Sequence, residues 1–384
     1  MTISIPFHKP HITDAEINAV AAVMRTGWLT MGPKTVEFEE AFRARLGAAH
    51  AVAVSSATAA LHLALVAAGI GEGDEVIVPA MTFAASAEVV RYQGATVVMA
   101  DIERDTHLLD AGEFEKLVTP RTRAVMPVHF GGMPCDMDPI MEIARRRGLV
   151  VIEDAAHSLP AEYRGRAVGT IGDFTCFSFY ATKTLATGEG GMITTENGEW
   201  ADRLRSLRLH GIGKDAWKRY SAEGSWAYDV LEIGFKYNMT DIAAAIGMEQ
   251  LKKLDWMNDR RAAIASAYDA AFSGIDALVP YGKRAERASA WHLYPLRLDP
   301  DALSIDRGRF IVELKERGVG ASVHFIPLYL FTHYEKMGYR ATDFPACEWA
   351  FEREVSLPIY PGMGDDAVSG VIEAVLAITE KFRR

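Results

Sequence analysis

The sequence is short of several features that would place it at once, and each shortage excludes something. Only three of its 384 residues are cysteine (Cys135, Cys176 and Cys347). That odd number, without CxxC spacing, supports neither a disulfide framework nor a zinc site and fits a reducing compartment. Positive charge is also scarce: 41 lysines and arginines stand against 51 acidic residues, a net charge of -10, whereas a nucleic-acid footprint needs a basic face. The compact basic run Arg145-Arg146-Arg147 precedes Gly148 and suits the last turn of a helix. The longest apolar run, residues 59–70, is too short to cross a bilayer and contains His62. The opening MTISIPFHKPHITDAE lacks the basic-then-apolar pattern of a secretion signal. These absences predict a soluble, cytoplasmic protein. No GxGxxG follows the first predicted strand, which removes the main signature of a nicotinamide-dependent oxidoreductase.

What is present reads as an α/β protein. From Ala51 onward, short Val/Ile/Ala-rich runs alternate with amphipathic stretches. Strands are predicted at 51–54, 75–78, 96–99, 123–127, 149–153, 174–179 and 192–195, with helices at 59–68, 83–92 and 137–147. Near-continuous apolar strands between helices mean a mostly parallel sheet covered on both faces. Before it, Thr13-Asp14-Ala15-Glu16 is a capping box opening a helix to about Arg25, and a second helix is predicted at 36–46. Beyond residue 251 the rhythm changes to a long helix at 254–272, strands at 291–298 and 321–325, and helices at 306–317 and 365–382. The expectation is a large domain over 1–250, with residues 1–35 as an arm near its site, and a smaller α+β domain over 251–384.

Three predicted strand ends carry polar groups, and ligands of such sheets gather beyond the carboxyl ends of the strands. Ser55-Ser56-Ala57-Thr58 opens a helix, where free N–H groups suit a phosphate. Glu153-Asp154-Ala155-Ala156-His157 follows the fifth strand. Ser178 and Lys183 precede the turn Gly188-Glu189-Gly190-Gly191. A lysine between two buried strands is costly unless its amine is neutral or used covalently. A phosphate cradle, a carboxylate and a lone lysine share one explanation, pyridoxal phosphate: the amine condenses with its aldehyde, and the carboxylate keeps its ring nitrogen protonated. Phe83, after the second strand, is a candidate to stack on the ring. His107, His210, His292 and His333 have no metal-ligand spacing, and ordinary polar roles are expected for them.

The stretches IPFHKPHITDAE, TGWLTMGP, SSATAALHLAL, VPAMTFAAS, VIEDAAHSL, FSFYATKTLATGEGGMITT and GFKYNMTDIAAAIG occur in that order over nearly the whole chain. Together they resemble the DegT/DnrJ/EryC1/StrS sugar aminotransferases, pyridoxal-phosphate enzymes of fold type I. The resemblance implies that Lys183 binds the cofactor covalently and Asp154 partners its ring nitrogen. It further implies that Ala57, Thr58 and Ser178 hold the phosphate, Phe83 stacks on the ring and His157 lies beside it. Asn238 is implied to reach the neighbouring subunit's cofactor phosphate, so a homodimer with shared sites is expected. Trp28, Thr30, Lys236, Tyr237, His324 and Tyr329 are expected to line the sugar pocket. In two places the chain departs from many relatives, with Ala57 in place of glycine and Tyr329 in place of histidine.

By the same resemblance the donor is glutamate, returning 2-oxoglutarate. The acceptor is a nucleotide-linked keto-sugar, with a UDP-4-keto-sugar for surface polysaccharide or lipid sugars favoured. PVHFGG, KYN and AWHL are similar to the branch that makes UDP-4-amino-4-deoxyarabinose. A related subfamily that dehydrates sugars carries histidine at the lysine position, so Lys183 points to amino transfer. The contrasting possibility, a cofactor-binding sensor without turnover, would need an appended interaction domain that the sequence does not display.

Overall fold

The computed structural model describes residues 4–213 and 228–384. Its central sheet has seven strands, in the spatial order His50–Val54, Gly191–Thr195, Phe174–Ser178, Val150–Asp154, Thr122–Val125, Glu75–Pro79, Thr96–Ala100. Only Gly191–Thr195 runs against its neighbours; every other pairing away from it is parallel. The strand residues Val52, Ile77, Val125, Val151 and Phe174 are fully buried, as a sheet covered on both faces requires. All seven predicted strands form, within two residues of their expected ends. Asp154 belongs to its strand as the last residue instead of following it.

The helices begin where the local chemistry allows. Thr13 caps Asp14–Thr26: Ala15 N–H donates to Thr13 Oγ1 at 3.4 Å and Thr13 N–H to Glu16 Oε2 at 2.8 Å, completing the capping box. The helix expected at 59–68 starts earlier, as Ala57–Ala67, because Ser56 caps it by accepting Ala59 N–H at 3.0 Å. Ala57 and Thr58 are therefore the first helical turn, not a turn before it. Helices Met137–Arg147, Leu254–Phe272 and Asp365–Phe382 have the predicted limits. The helix Asp241–Lys252 was not predicted. Its first residue anchors the segment ahead of Pro33–Leu46: the Asp241 carboxylate accepts N–H groups of Gly32 (2.7 Å), Thr35 (2.9 Å) and Lys34 (3.1 Å), and the Thr35 hydroxyl (2.7 Å).

The carboxyl-terminal region builds an antiparallel sheet with Tyr294–Leu298 between Leu278–Val279 and Glu354–Leu357. This corrects two expectations. Residues 291–293 lie ahead of the strand, with Trp291 at φ 48°, and 321–325 is not a strand. Ser322 makes a single bridge to Ser356, and His324 and Phe325 turn instead toward a cavity. The strand that fills the place is Glu354–Leu357. The amino-terminal arm is tied to this region, since Ser4 and Ile5 N–H donate to Gly318 O at 3.0 Å and Gly320 N–H to Ile5 O at 2.9 Å. That pairing delivers Phe7 and His8 to the cavity.

Candidate active site

A cavity of about 510 Å³ lies at the carboxyl ends of the parallel strands. Its lining includes Ser56, Ala57 and Thr58 from the first helical turn after His50–Val54. Thr82 and Phe83 come from the segment after Glu75–Pro79, and Asp154, His157, Ser178 and Lys183 complete the sheet side. Strand-end residues far apart in sequence thus converge, as the parallel topology predicts. Gly191 makes the convergence possible. A Cβ there would stand 2.6 Å from Ser56 O and 2.9 Å from Ala57 N, so only glycine lets the antiparallel strand pack against the helix start.

Asp154 is the buried acid of the site. Its Oδ2 accepts the Ser86 hydroxyl at 2.8 Å and its Oδ1 the Ala156 N–H at 3.1 Å. Burial raises its pKa, against those hydrogen bonds and the nearby Lys183 charge. Behind it, Glu153 accepts Gly172 N–H and the Thr175 hydroxyl, both at 2.7 Å, and faces His129 Nε2 at 2.9 Å. The Lys183 amine has its pKa lowered from 10.5 to about 8, chiefly by burial, with Asp154 opposing. Acid and amine are thus both pushed toward neutrality, an arrangement a cationic ring nitrogen beside Asp154 would resolve.

Four histidines share the cavity: His8, His157, His292 and His324. Gly131 N–H donates to His157 Nδ1 at 3.3 Å, so Nε2 of the neutral ring carries the proton. The His157 and His292 rings lie 4.4 Å apart. Burial, then His157, Lys183, Arg261 and His8, hold His292 well below its ordinary pKa. His8 contacts Ala181 O at 3.1 Å and is lowered to about 4 by burial and Arg261. His292 was expected to be an ordinary polar residue; it is part of the cavity wall. His8 and Ser86 were not expected here at all, because neither sits at a predicted strand end.

Phe83 is 61% exposed at the cavity, its ring 6.0 Å from Phe325, so its face is free to cover a planar ligand. Tyr329 is a correction. It is buried in the core, stacked on Phe344 at 5.0 Å with its hydroxyl donating to Glu348 at 2.7 Å, and it does not reach the cavity. Trp28, Thr30, Lys236, Tyr237 and Asn238 also lie outside the cavity of this single chain. Trp28 Nε1 donates to Met31 O at 3.0 Å, Tyr237 stacks on Phe235 and faces His62 at 3.2 Å, and Asn238 pairs with Val54. Among the described residues no cluster of three or more side chains could hold a metal ion, and no helix is long and apolar enough to cross a membrane.

The residues fit pyridoxal phosphate on their own terms: helix-start N–H groups for the phosphate, a buried carboxylate without a cation in contact, and an amine of lowered pKa in one cavity. Comparison with known proteins agrees. Residues 10–376 match the DegT/DnrJ/EryC1/StrS aminotransferase family. The chain is 51% identical to an uncharacterized protein, MJ1066, of Methanocaldococcus jannaschii over 99% of this chain and 98% of that one. It is 50% identical to the spore coat polysaccharide biosynthesis protein SpsC of Bacillus subtilis, over 98% and 97%. Among solved structures, the putative sugar aminotransferase Spr1654 of Streptococcus pneumoniae in its PMP form superposes with a TM-score of 0.93 at 37% identity. That match covers 98% of this chain and 100% of the other, and the PLP form matches at 0.92. The chain belongs to the DegT/DnrJ/EryC1/StrS aminotransferase family, with the fold-type-I architecture and the pyridoxal phosphate cofactor expected from its sequence.

Proposed function

We propose that this sugar aminotransferase carries an amino group from glutamate to a nucleotide-linked keto-sugar, with a UDP-4-keto-sugar as the favoured acceptor and a surface polysaccharide as the destination. The observation that carries the reading is the Lys183 amine, lowered to about 8, sharing with a buried carboxylate one cavity at the strand ends. The name of the Bacillus relative, a spore coat polysaccharide protein, supports the destination.

Bound pyridoxal phosphate supplies an electron sink through which an amino group can be taken from one substrate and given to another. The chain supplies the rest. N–H groups of Ala57 and Thr58 at the helix start, with the hydroxyls of Thr58 and Ser178, would hold the phosphate. Asp154, fixed by Ser86 and Ala156 N–H, would hold the proton on the ring nitrogen. Phe83 would cover one ring face, and the His157 Nε2–H donates into the cavity. Burial disfavours the charged form of the Lys183 amine and so enlarges its neutral fraction. When neutral it takes the proton from the donor's α-carbon, and as ammonium it returns one later in the transfer.

The same reading assigns a cofactor-binding part to residues 1–250 and a smaller part to 251–384. It also assigns a homodimer with shared sites in which Asn238 reaches the partner's cofactor phosphate, while Trp28, Thr30, Lys236 and Tyr237, off this chain's own cavity, are assigned to the sugar pocket. The test is a panel of UDP-, GDP- and dTDP-linked 4-keto and 3-keto sugars with glutamate, following 2-oxoglutarate over many turnovers. A UDP-4-keto-sugar should give the highest kcat/KM. Absence of turnover across the panel would favour the sensor reading and overturn this one.

A further inference from the structure

The carboxyl-terminal sheet contributes a hydrogen-bonded chain that ends in the cavity. Glu354 is completely buried on the strand Glu354–Leu357. Its Oε2 accepts the His324 N–H at 3.0 Å, and its Oε1 is hydrogen-bonded to the Ser356 hydroxyl. The same hydroxyl lies 2.9 Å from His324 Nδ1. His324 lines the cavity, its ring stacked on Phe7 at 5.5 Å, and Nδ1 is engaged by Ser356. Nε2 is therefore the nitrogen left for the cavity.

We propose that Glu354, Ser356 and His324 form a proton relay whose cavity end is His324 Nε2, with Glu354 and Ser356 as positioning residues acting through the histidine. The chain has two consistent settings, because Ser356 has one hydroxyl proton to give. With Glu354 protonated, Oε1–H donates to Ser356 Oγ, Ser356 donates to His324 Nδ1, and Nε2 carries a proton offered to the cavity. With Glu354 ionised, Ser356 donates to Oε1, Nδ1–H donates to Ser356, and Nε2 offers a lone pair. Passing from the first setting to the second moves the Glu354 proton to Ser356, the Ser356 proton to Nδ1, and the Nε2 proton into the cavity. One proton is lost in all, and the imidazole is neutral at both ends.

The surroundings favour switching near neutrality. Burial pushes the Glu354 carboxyl up to about 8, against Ser356, the His324 N–H and the Arg307 charge. Arg307, on the helix Arg307–Glu316, is the cation facing it from that side, and Arg297 is its cross-strand neighbour, engaged with Arg104 O at 2.9 Å and Asp105. Around His324, burial and then Lys183 hold the ring at about 4, so it stays neutral throughout, and His157 is the other titratable ring coupled to it. A fully buried acid with no ion-pair partner among the described residues is expensive as structure alone. Its hydrogen bonds run toward the cavity. The relay rests on this geometry and not on the identity of the sugar acceptor.

The test is nitrogen NMR of the holoenzyme carrying labelled histidine, which reports which ring nitrogen bears the proton. His324 Nε2 should move from the protonated to the unprotonated position as pH rises through about 8. Glu354→Gln, permanently neutral and able to donate to Ser356, should hold it in the protonated position up to pH 9.5. Ser356→Ala should remove the pH response in either case, and decides the matter if the glutamine variant does not fold. A wild-type His324 that keeps one tautomer from pH 6.5 to 9.5, or an unchanged response in Ser356→Ala, would overturn the relay. Because the readout is a tautomer, it stands apart from whichever sugar the enzyme uses.

Discussion

Replacing Lys183 with methionine should abolish amino transfer and, in cofactor-free protein at pH 7, stabilise the fold. Burial lowers the Lys183 pKa from 10.5 to about 8, so below pH 8 the folded chain holds a charged amine in a site that disfavours the charge. At 1.36 kcal/mol per pH unit, the cost is at most about 3 kcal/mol, and cavity water screens part of it, leaving about 1–3 kcal/mol. Methionine fills a similar volume without the charge. For a chain of 384 residues the unfolding entropy is roughly 0.8 kcal/mol per kelvin, so the melting temperature should rise by about 1–4 °C. The sign of the pH dependence is fixed. Between pH 8 and 10.5 the unfolded chain binds a proton that the folded chain has released, so wild-type stability from this group rises with pH. The advantage of the variant should therefore shrink from pH 7 to pH 9.5. The assay is thermal unfolding of both proteins after cofactor removal, because bound cofactor stabilises the wild type by mass action. A variant less stable than wild type at pH 7, or a difference that does not change with pH, would refute the argument that Lys183 is held against its charge.

Asp154→Asn keeps the shape of the buried acid but cannot hold a proton on a ring nitrogen. Turnover should fall by about 10²–10³-fold, the equivalent of about 3–4 kcal/mol, while the protein still folds. Tyr329→Phe removes a hydroxyl that reaches Glu348 in the core. It should cost about 1 kcal/mol of stability and leave the acceptor KM within about twofold; a tenfold rise would return that hydroxyl to the sugar pocket. Asp241→Ala removes the acceptor of three backbone N–H groups and one hydroxyl. It should lower stability by about 3 kcal/mol and the melting temperature by about 4 °C.

The central sheet was legible because its strands are buried on both faces and so are written as continuous apolar runs. The carboxyl-terminal sheet was less so, and two segments show why. Residues 321–325 have the composition of a strand, yet their side chains serve the cavity and only Ser322 pairs. Residues Glu354–Leu357 do form a strand, but Glu354 and Ser356, both fully buried, break the apolar pattern that would have announced it. A polar residue buried for the sake of a hydrogen-bonded chain looks, in sequence, like a surface residue. The same logic hid Tyr329, whose position suggested a pocket while its ring packs on Phe344.

The site was legible where strand ends dictate it and illegible where long-range contacts do. Asp154 and Ser178 stand at strand ends, where the topology rule points, whereas Lys183 lies beyond its strand and drew notice only in the company of a carboxylate and a phosphate cradle. His8 reaches Ala181 across 173 residues and Ser86 reaches Asp154 across 68, separations at which no spacing rule operates. These distant contributions decide the electrostatics. Arg261 is fully buried, donating to Ile359 O at 2.8 Å and Trp291 O at 3.3 Å, and its charge helps to keep His8 and His292 uncharged. With Lys183 it brings two basic groups to bear on the His292 ring inside a chain of net charge -10. Low-dielectric walls focus such a local field whatever the sign of the whole. An anionic substrate would meet that field in the cavity, and the neutral histidines around it are left to donate and accept hydrogen bonds.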